Sequence, residues 1–428
     1  MSATTEKLTF PGFVDVHVHF RDPGVPEAET TASGLKAAAH GGFSAVVTMP
    51  NTEPAGDSVE WIKRNLHPFS EAEGSSLRRS EPRIFPSACI TKGRLGKEVA
   101  DLEALAEAGA AFFTDDGSYV ADDKVMEAAM ERIAELNMVV CQHAMDPQEQ
   151  KGGVVRDCAF ARKFGLPVIS VETETKAIRR DLSLCRVTGC RLHIQPTSTA
   201  EGGALVRDAQ REGLPVTAEA TPHHLLLTCD DIPLDDSPFS PHSSLITHPS
   251  SFYKMAPPLG NREDRAELRK AVKDGVLMFA TDHAPHPAAK KCLGFAKSAN
   301  GIIGLETAIP ITYAVMVEEE GMPVEKWAEA WWKLPRDIIR IGSIGSLESI
   351  GSIESIGSIG SVGSIGSAGY MGAAGSVDIR DAQETLNDLI PPTTVVVGDE
   401  RSVDVSAFAS LSRNCPYDGM KFRCWPKV

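Results

Sequence analysis

The sequence predicts an α/β protein, a (β/α)₈ TIM-type barrel with a small, partly truncated β region appended at its C-terminal end. Short apolar runs alternate with longer amphipathic stretches from residue 13 to about residue 285, and there are eight of these runs. Eight β-then-α units favour a closed barrel. No glycine-rich phosphate loop follows the first run, which argues against an open, doubly wound sheet.

The eight apolar runs are the predicted barrel strands. They lie at or near residues 13–19, 44–49, 84–90, 110–115, 138–143, 191–195, 215–220 and 276–282. Helix-like stretches lie between them, for example at 122–136 and 263–272. In the first stretch the residues predicted to face the core by helical spacing are Val125, Ala128, Ile133 and Leu136.

The pattern divides the chain into four parts. Residues 1–12 are a lead-in, and residues 13–335 are the barrel, with polar insertions near 69–83 and 233–252. Residues 341–375 repeat Ile-Gly-Ser, and a period of three matches neither the helical repeat of about 3.6 residues nor the strand repeat of about 2. A low-complexity linker is therefore predicted there, and residues 376–428 form the C-terminal β region, with strands at 393–397 and 402–405.

Composition excludes several classes of function. With 42% hydrophobic and 24% charged residues, the 428-residue chain is typical of a globular enzyme. A net charge of −15 without a basic tract excludes a nucleic-acid partner. No apolar run reaches the roughly 18 residues of a membrane span, and the first residues lack the plan of a signal peptide. Nine cysteines without a C-x-x-C pair predict a cytoplasmic location.

The residues most suggestive of chemistry are His17 and His19, at the end of the first predicted strand. Side chains two apart in a strand point the same way, so both imidazoles can reach one metal ion. On its own, a His-x-His pair is more often simply hydrogen-bonded at a strand end. Here Asp116, His143 and Asp282 also follow predicted strands, and the carboxyl ends of barrel strands meet at one rim. We therefore expect a metal site.

Imidazole and carboxylate ligands suit zinc or a similar divalent ion, which activates a water molecule. A neighbouring carboxylate can then take up the proton of that water and pass it to a leaving group. Asp282 is the predicted proton shuttle and catalytic residue; the alternative is an aspartate that only caps the loop after its strand.

Six motifs resemble the dihydroorotases of the amidohydrolase superfamily: FVDVHVHFRDPG, TMPNTEP, FFTDDG, TPHHLLLT, ATDHAPH and GIIGLET. SRNCPYDGMK is similar to the family's C-terminal segment, and FFTDDG resembles the members in which an aspartate replaces a carboxylated lysine. The resemblance implies a cytoplasmic, metal-dependent cyclic amide hydrolase of pyrimidine biosynthesis. Such an enzyme interconverts N-carbamoyl-L-aspartate and L-dihydroorotate.

The resemblance also implies roles for individual residues. His17, His19 and Asp282 would bind one Zn²⁺, Asp116 would bridge, and His143 would bind a second ion. The substrate would contact His19, Arg21, Asn51, His286, Asn300 and Gly301. The implied partners are the small-molecule substrate, a second copy of the chain in a homodimer, and aspartate transcarbamoylase, without nucleic acid or membrane.

Three positions depart from the family pattern. Pro196 stands where a histidine would bind the second metal ion, and His193, three residues earlier, is expected on the opposite strand face. Ala256 and Gly260 stand where the family has Asn and Arg. The N-terminal strands of the family's β-sandwich are also expected to be absent.

These departures leave three hypotheses open. The first is an active dihydroorotase with one or two Zn²⁺ ions. The second is a catalytically impaired barrel that acts as a structural partner of aspartate transcarbamoylase. The third is a related amidohydrolase whose substrate is another cyclic amide.

Overall fold

A computed structural model describes residues 5–66, 81–235, 249–339 and 390–427. The predicted insertions near 69–83 and 233–252 lie mostly outside these ranges, and the Ile-Gly-Ser segment at 341–375 lies wholly outside them. In the part of the chain that is described, no helix is long and apolar enough to cross a membrane.

The predicted barrel is present, and its strands agree closely with the eight apolar runs. In chain order the strands of the described residues are β1 (Glu6–Phe10), β2 (Phe13–Val18), β3 (Phe43–Thr48), β4 (Arg83–Pro86), β5 (Val139–Gln142), β6 (Arg191–Ile194), β7 (Val216–Ala220), β8 (Met278–Phe279), β9 (Thr393–Ser402) and β10 (Lys421–Pro426). Strands β2 to β8 are parallel to their neighbours in the barrel.

Two irregular contacts complete the barrel. An extended segment at Phe113 pairs in parallel with Ala88 after β4 and with Val140 in β5, so it occupies the place of the fourth barrel strand. Val18 pairs with His283 beyond β8, and the backbone N–H of His19 donates to the carbonyl of His283 at 2.9 Å. The last strand is thereby joined to the first.

Helices lie between the strands and after the last barrel strand. They are α1 (Thr31–His40), α2 (Val59–Leu66), α3 (Leu102–Glu107), α4 (Asp123–Glu135), α5 (Pro147–Gln150), α6 (Ala159–Phe164), α7 (Glu172–Thr188), α8 (Ala200–Arg211), α9 (Pro222–Leu226), α10 (Arg262–Lys273), α11 (Ala288–Lys291), α12 (Ala308–Thr312) and α13 (Val324–Ile338). A π-helical segment, Tyr313–Glu319, follows α12.

Helix α4 confirms the predicted stretch at 122–136 but not its predicted buried face. The Asp122 side chain accepts from the backbone of the first turn and so fixes the start of the helix. The buried residues are Met126, Ala129, Met130 and Ile133, so of the four predicted core positions only Ile133 is fully buried. Methionine and alanine suit either environment, and this permits a shift of one position between two similar faces.

The two ends of the chain form one antiparallel sheet, in the order β1-β9-β10. The prediction that the N-terminal sandwich strands are absent was wrong for one strand, β1. This strand pairs with β9, from Glu6 opposite Val397 to Phe10 opposite Thr393. The predicted strand at 402–405 was also wrong. Residue Ser402 ends β9, and a 3₁₀ turn follows at Val405–Ala407.

Apolar side chains fill the barrel interior below the rim. Val14, Val16, Ala45 and Val47 belong to this inner cluster, and Ile390 packs with them. A larger cluster lies between the strands and the surrounding helices. The alternation of strand side chains sends successive residues to one cluster or the other. The polar residues at the carboxyl ends of the strands are thus held on a packed apolar base.

Candidate active site

His17 and His19 are held at the end of β2, and both are buried. Nε2 of His17 lies 3.2 Å from Oδ1 of Asp116, and Nε2 of His19 lies 3.4 Å from Oδ2 of the same carboxylate. Asp116 follows the extended segment at Phe113. One donor atom from each of the three residues lies within 4.8 Å of the other two, so the group could hold a metal ion.

The donor set fits a cation better than it fits a set of hydrogen bonds. Nε2 of His17 and Oδ1 of Asp116 are buried and face each other, yet neither has a hydrogen-bond partner within the described residues. Buried polar atoms without partners are costly and uncommon in folded proteins. Two ligands of one metal ion face each other in this way. Imidazole and carboxylate ligands together suit zinc.

Asp282 completes the cluster from the segment after β8. Its Oδ1 lies 3.0 Å from Nε2 of His19 and 3.4 Å from Nε2 of His17. Burial opposes ionisation of Asp282, but the charge of His17 and the close contact with His19 hold its pKa at about 2. Its backbone has φ of 48°, in the left-handed region that is uncommon for residues other than glycine.

Glu219, in β7, is a site residue that sequence reasoning missed. Its Oε1 lies 2.5 Å from Nδ1 of His17, and its Oε2 lies 3.0 Å from Nε2 of His193. A carboxylate bonded to one ring nitrogen of a histidine directs the other nitrogen toward a metal ion. Burial favours the neutral imidazole of His17, but Glu219, Asp282 and Asp116 raise its pKa well above the ordinary value.

The loop that carries Asp116 is fixed by two residues from neighbouring loops. Arg94, also missed from the sequence, donates to the backbone carbonyl of Asp116 at 2.5 Å. The amide of Asn51 donates to Oδ2 of Asp116 at 3.3 Å, and its oxygen accepts from Nδ1 of His19 at 2.9 Å. Asn51, predicted as a substrate contact, therefore also orients two candidate ligands.

His143 lies apart from this group. Its Nε2 donates to the backbone carbonyl of Ala256 at 3.1 Å, which leaves only Nδ1 for another partner. His193 is not a substitute ligand, because Thr217 at 2.8 Å and Glu219 at 3.0 Å use both ring nitrogens. Glu219 bonds to both His17 and His193, so the His193 ring lies beside the site without a nitrogen that is free for a metal ion.

The predicted substrate-contact residues other than His19 and Asn51 lie on three loops at the rim. Arg21 has φ of 52°, and its Nε donates to the carbonyl of Pro285 at 3.3 Å. Nε2 of His286 donates to the carbonyl of Asn300 at 2.6 Å. Gly301 has φ of 118°, and a Cβ there would lie 2.5 Å from the Cβ of Ala284. Only glycine fits this turn without displacement.

Close packing explains why residue 260 is a glycine, and the sequence alone does not reveal this. A Cβ at this position would lie 2.6 Å from the Cβ of Asp264 and 2.9 Å from the carbonyl of Ser198. Asp264 is engaged at the start of α10, where it accepts from the backbone N–H of Ala200 at 2.9 Å. The arginine of the family pattern could not be placed here without moving this contact. No comparable steric reason distinguishes Ala256.

Comparison with known proteins agrees with this architecture. The family model "Dihydro-orotase-like" matches residues 6–202. A dihydroorotase of Geobacillus thermodenitrificans is 36% identical over 424 residues, which span 98% of this chain and 85% of that protein.

Solved structures with the same fold include an L-hydantoinase (dihydropyrimidinase) of Arthrobacter aurescens. It has a TM-score of 0.72 and 22% identity, and the match spans 98% of this chain and 83% of that one. A dihydroorotase of Saccharomyces cerevisiae in complex with 5-fluoroorotic acid has a TM-score of 0.63 and 16% identity, over 99% and 98% of the two chains. At these identities the two structures support the architecture alone.

Proposed function

The chain belongs to the dihydroorotase-like family of metal-dependent amidohydrolases, and from this premise we propose that its rim site interconverts N-carbamoyl-L-aspartate and L-dihydroorotate. It is a hydrolase that acts on small cyclic amides. The observation that carries the specific proposal is the buried group of His17, His19 and Asp116, with Asp282 against it and the guanidinium of Arg21 beside it.

We assign the metal site to His17, His19, Asp116 and Asp282, with Zn²⁺ as the ion. When bound there, the ion would supply Lewis acidity, which polarises the amide carbonyl and lowers the pKa of water toward about 7. Glu219 holds the His17 ring so that Nε2 faces the site. Asn51 does the same for His19 through Nδ1.

Asp282 is the residue proposed to move the proton. With its pKa held at about 2, its carboxylate is ionised at neutral pH and can accept a proton from the attacking water. As the ring C–N bond breaks, Asp282 returns that proton to the leaving nitrogen, and N-carbamoyl-L-aspartate results. Ring closure is the same sequence in reverse, with water leaving the carboxyl carbon.

The substrate carboxylate is assigned to Arg21 and Asn51. A guanidinium is the match for a carboxylate because it can donate two parallel hydrogen bonds. Burial lowers the pKa of Arg21 to about 10, so it remains cationic at neutral pH. His286 and the loop at Asn300 and Gly301 supply the remaining contacts, together with His19.

The second ion has a weaker site. Asp116 and His143 would be its ligands, but Pro196 offers no donor atom, and both ring nitrogens of His193 are engaged. We therefore propose one firmly held Zn²⁺ per chain and a second, weakly held ion. Missing one of few ligands lowers metal affinity strongly.

The remaining assignments follow from the same family membership. We propose a cytoplasmic enzyme, in keeping with nine cysteines that are all free. A homodimer and an assembly with aspartate transcarbamoylase are the proposed protein partners. We further propose that residues 13–335 act as the catalytic unit and that the β region at 376–428 supports it, joined by the segment at 341–375.

The deciding experiment is a ring-closure and ring-opening assay of the purified chain, with its zinc content measured in the same sample. Conversion of both substrates with about one zinc per chain supports the proposal. Activity only after addition of aspartate transcarbamoylase would indicate the impaired, assembly-dependent barrel. Hydrolysis of another cyclic amide, without conversion of dihydroorotate, would contradict the substrate assignment.

A substitution at Asp282 tests the proton transfer. Asp282→Asn keeps the shape of the side chain but removes the base, so turnover should fall by about 10²-fold or more. The assay is run at saturating Zn²⁺, because Asp282 is also a proposed ligand. Asp208→Asn, on the exposed side of α8, is the control and should behave as the parent. A near-parental rate in Asp282→Asn would remove Asp282 from the mechanism.

A further inference from the structure

The segment from Ser410 to Asn414, in the C-terminal part of the chain, lies across the rim of the barrel. Its serines and asparagine are buried, and the segment is fastened to the loop after β2. The hydroxyl of Ser410 donates to the carboxylate of Glu29, and the backbone N–H of Leu411 donates to Oε1 of Glu29 at 3.2 Å. The hydroxyl of Ser412 donates to the carbonyl of Ala28 at 2.7 Å.

Asn414 is the member of this segment that reaches the substrate-binding loops. Its Nδ2 donates to the carbonyls of Ala284 and Gly301, both at 3.1 Å. Its Oδ1 accepts from the backbone N–H of His286 at 3.4 Å, and its carbonyl accepts from the N–H of Ile303 at 3.1 Å. Two carbonyls and one N–H around the amide leave only one orientation that satisfies all three groups.

These bonds link two loops of the connection between β8 and α12, which α11 separates. The first follows β8 and carries His286; the second carries Asn300 and Gly301. The bond from Nε2 of His286 to the carbonyl of Asn300 joins the same two loops at the side of the site. Asn414 therefore helps to set the distance between the proposed substrate contacts, together with the backbone bond from the N–H of Ala284 to the carbonyl of Ile302 at 2.8 Å. Within the described contacts, Asn414 touches neither the proposed metal ligands nor Arg21.

We propose that Asn414 is a positioning residue, which sets the spacing of His286 and Gly301 for the substrate. The inference rests on the proposed function for its effect on catalysis, but the bonds themselves are independent of it. It also gives the motif SRNCPYDGMK a role, because that motif brings Asn414 to the rim. A C-terminal segment outside the barrel is thus part of the substrate-binding end of the site.

Asn414→Asp is the sharpest variant, since it retains the shape and Oδ1 but places a carboxylate oxygen opposite two carbonyls. Repulsion should separate the two loops, and displacements of about 1 Å can change enzyme kinetics by up to about 10²-fold. We expect the KM for dihydroorotate and for N-carbamoyl-L-aspartate to rise by about tenfold or more. Zinc content should be unchanged, because no proposed ligand is touched.

Asn65→Asp is the matched control, because buried Asn65 also donates from Nδ2 to a backbone carbonyl, that of Trp61 at 2.9 Å. This variant should lose thermal stability without a change in KM. A purely structural Asn414 would give the same result, namely a lower melting temperature with an unchanged KM. That outcome in Asn414→Asp would overturn the proposal.

Amide hydrogen exchange provides a measurement that does not depend on the reaction. Peptides that cover residues 284–286 and 299–303 should exchange about tenfold faster or more in Asn414→Asp, but not in Asn65→Asp. Unchanged exchange in both peptides would refute the positioning role. An inactive parent protein would refute the proposed function alone, and the exchange result would still decide the role of Asn414.

Discussion

Two carboxylates contact the two ring nitrogens of His17 from opposite edges of the ring. Glu219 meets Nδ1 at 2.5 Å, and Asp116 faces Nε2 at 3.2 Å. The carboxylates of Glu219, Asp282 and Asp116 surround one imidazole, and their charges raise the pKa of His17 despite its burial. A divalent ion among these groups would balance their charge.

Removing either imidazole at the end of β2 should empty the first metal site. His17→Ala and His19→Ala each delete one of few ligands, so bound zinc should fall well below one ion per chain. Elemental analysis after gel filtration measures this directly. His40→Ala, at the exposed end of α1, is the control and should keep the parental zinc content. Parental zinc content in both ligand variants would contradict the assignment.

Pro196→His should restore a donor atom at the rim next to β6. The backbone at this position does not require proline, because a residue with ordinary extended geometry and a backbone N–H can also follow a strand end. We expect bound zinc per chain to rise and, with Asp116 and His143 as co-ligands, hydrolysis to become faster. An increase in zinc without faster hydrolysis would direct attention to Ala256 and Gly260. Unchanged zinc in a folded variant would mean that the second site is weak for another reason.

The sequence was sufficient to place His17, His19, Asp116 and Asp282 together, because the carboxyl ends of all barrel strands share one rim. It was not sufficient for Glu219 or Arg94. Glu219 lies within β7, where a single acidic residue between alanines carries no motif. Arg94 acts through a backbone carbonyl of another loop, and contacts of that kind depend on loop conformation rather than on residue spacing.

At the scale of elements, the sequence predicted helices at 122–136 and 263–272, and in the structure capping side chains fix the starts of both. Helix α10 begins after Asn261, whose side chain accepts from the N–H groups of Glu263 and Asp264. Asp264 in turn accepts from the N–H of Asn261 at 3.0 Å, which completes a capping box. The strand at Phe113 and β8 lie within the predicted runs 110–115 and 276–282, but both are much shorter than those runs.

Asn261→Ala should destabilise the protein by about 1 kcal/mol, because two N–H groups of the first turn lose their acceptor. Asn261→Asp keeps a side-chain acceptor and should remain within a few tenths of a kcal/mol of the parent. Chemical denaturation followed by far-UV circular dichroism compares the three proteins. Equal stability of the alanine and aspartate variants would show that the cap contributes little.

At the scale of the whole molecule, two distant strands pair with each other, and no local sequence pattern predicts this pairing. Strands β1 and β9 come from opposite ends of the chain, and the register opposes Glu6 to Val397. Hydrophobic periodicity indicates where a strand lies but not its partner across several hundred residues. For the same reason the sequence missed β10, whose strand residues alternate between buried and exposed over a short span.

The C-terminal sheet is joined to the barrel at the end opposite the site, through Thr393. The buried hydroxyl of Thr393 accepts from the N–H of Phe13, where β2 begins, and donates to the carbonyl of Gly42, just before β3, both at 2.9 Å. Thr393→Val keeps the volume of the side chain but leaves both backbone groups without this partner. Each unsatisfied buried group costs about 1–3 kcal/mol.

We therefore expect Thr393→Val to lower the melting temperature by several degrees, while zinc content and turnover stay parental, because the site lies at the other end of the strands. Thr394→Val is the matched control: its hydroxyl meets only that of Thr9 among the described side-chain contacts, at 3.1 Å in an exposed position. The control should melt within about a degree of the parent, since surface substitutions change stability by about 0.5 kcal/mol or less. A loss of turnover in Thr393→Val without a lower melting temperature would contradict this account, because the sheet would then act on the site rather than on the stability of the barrel.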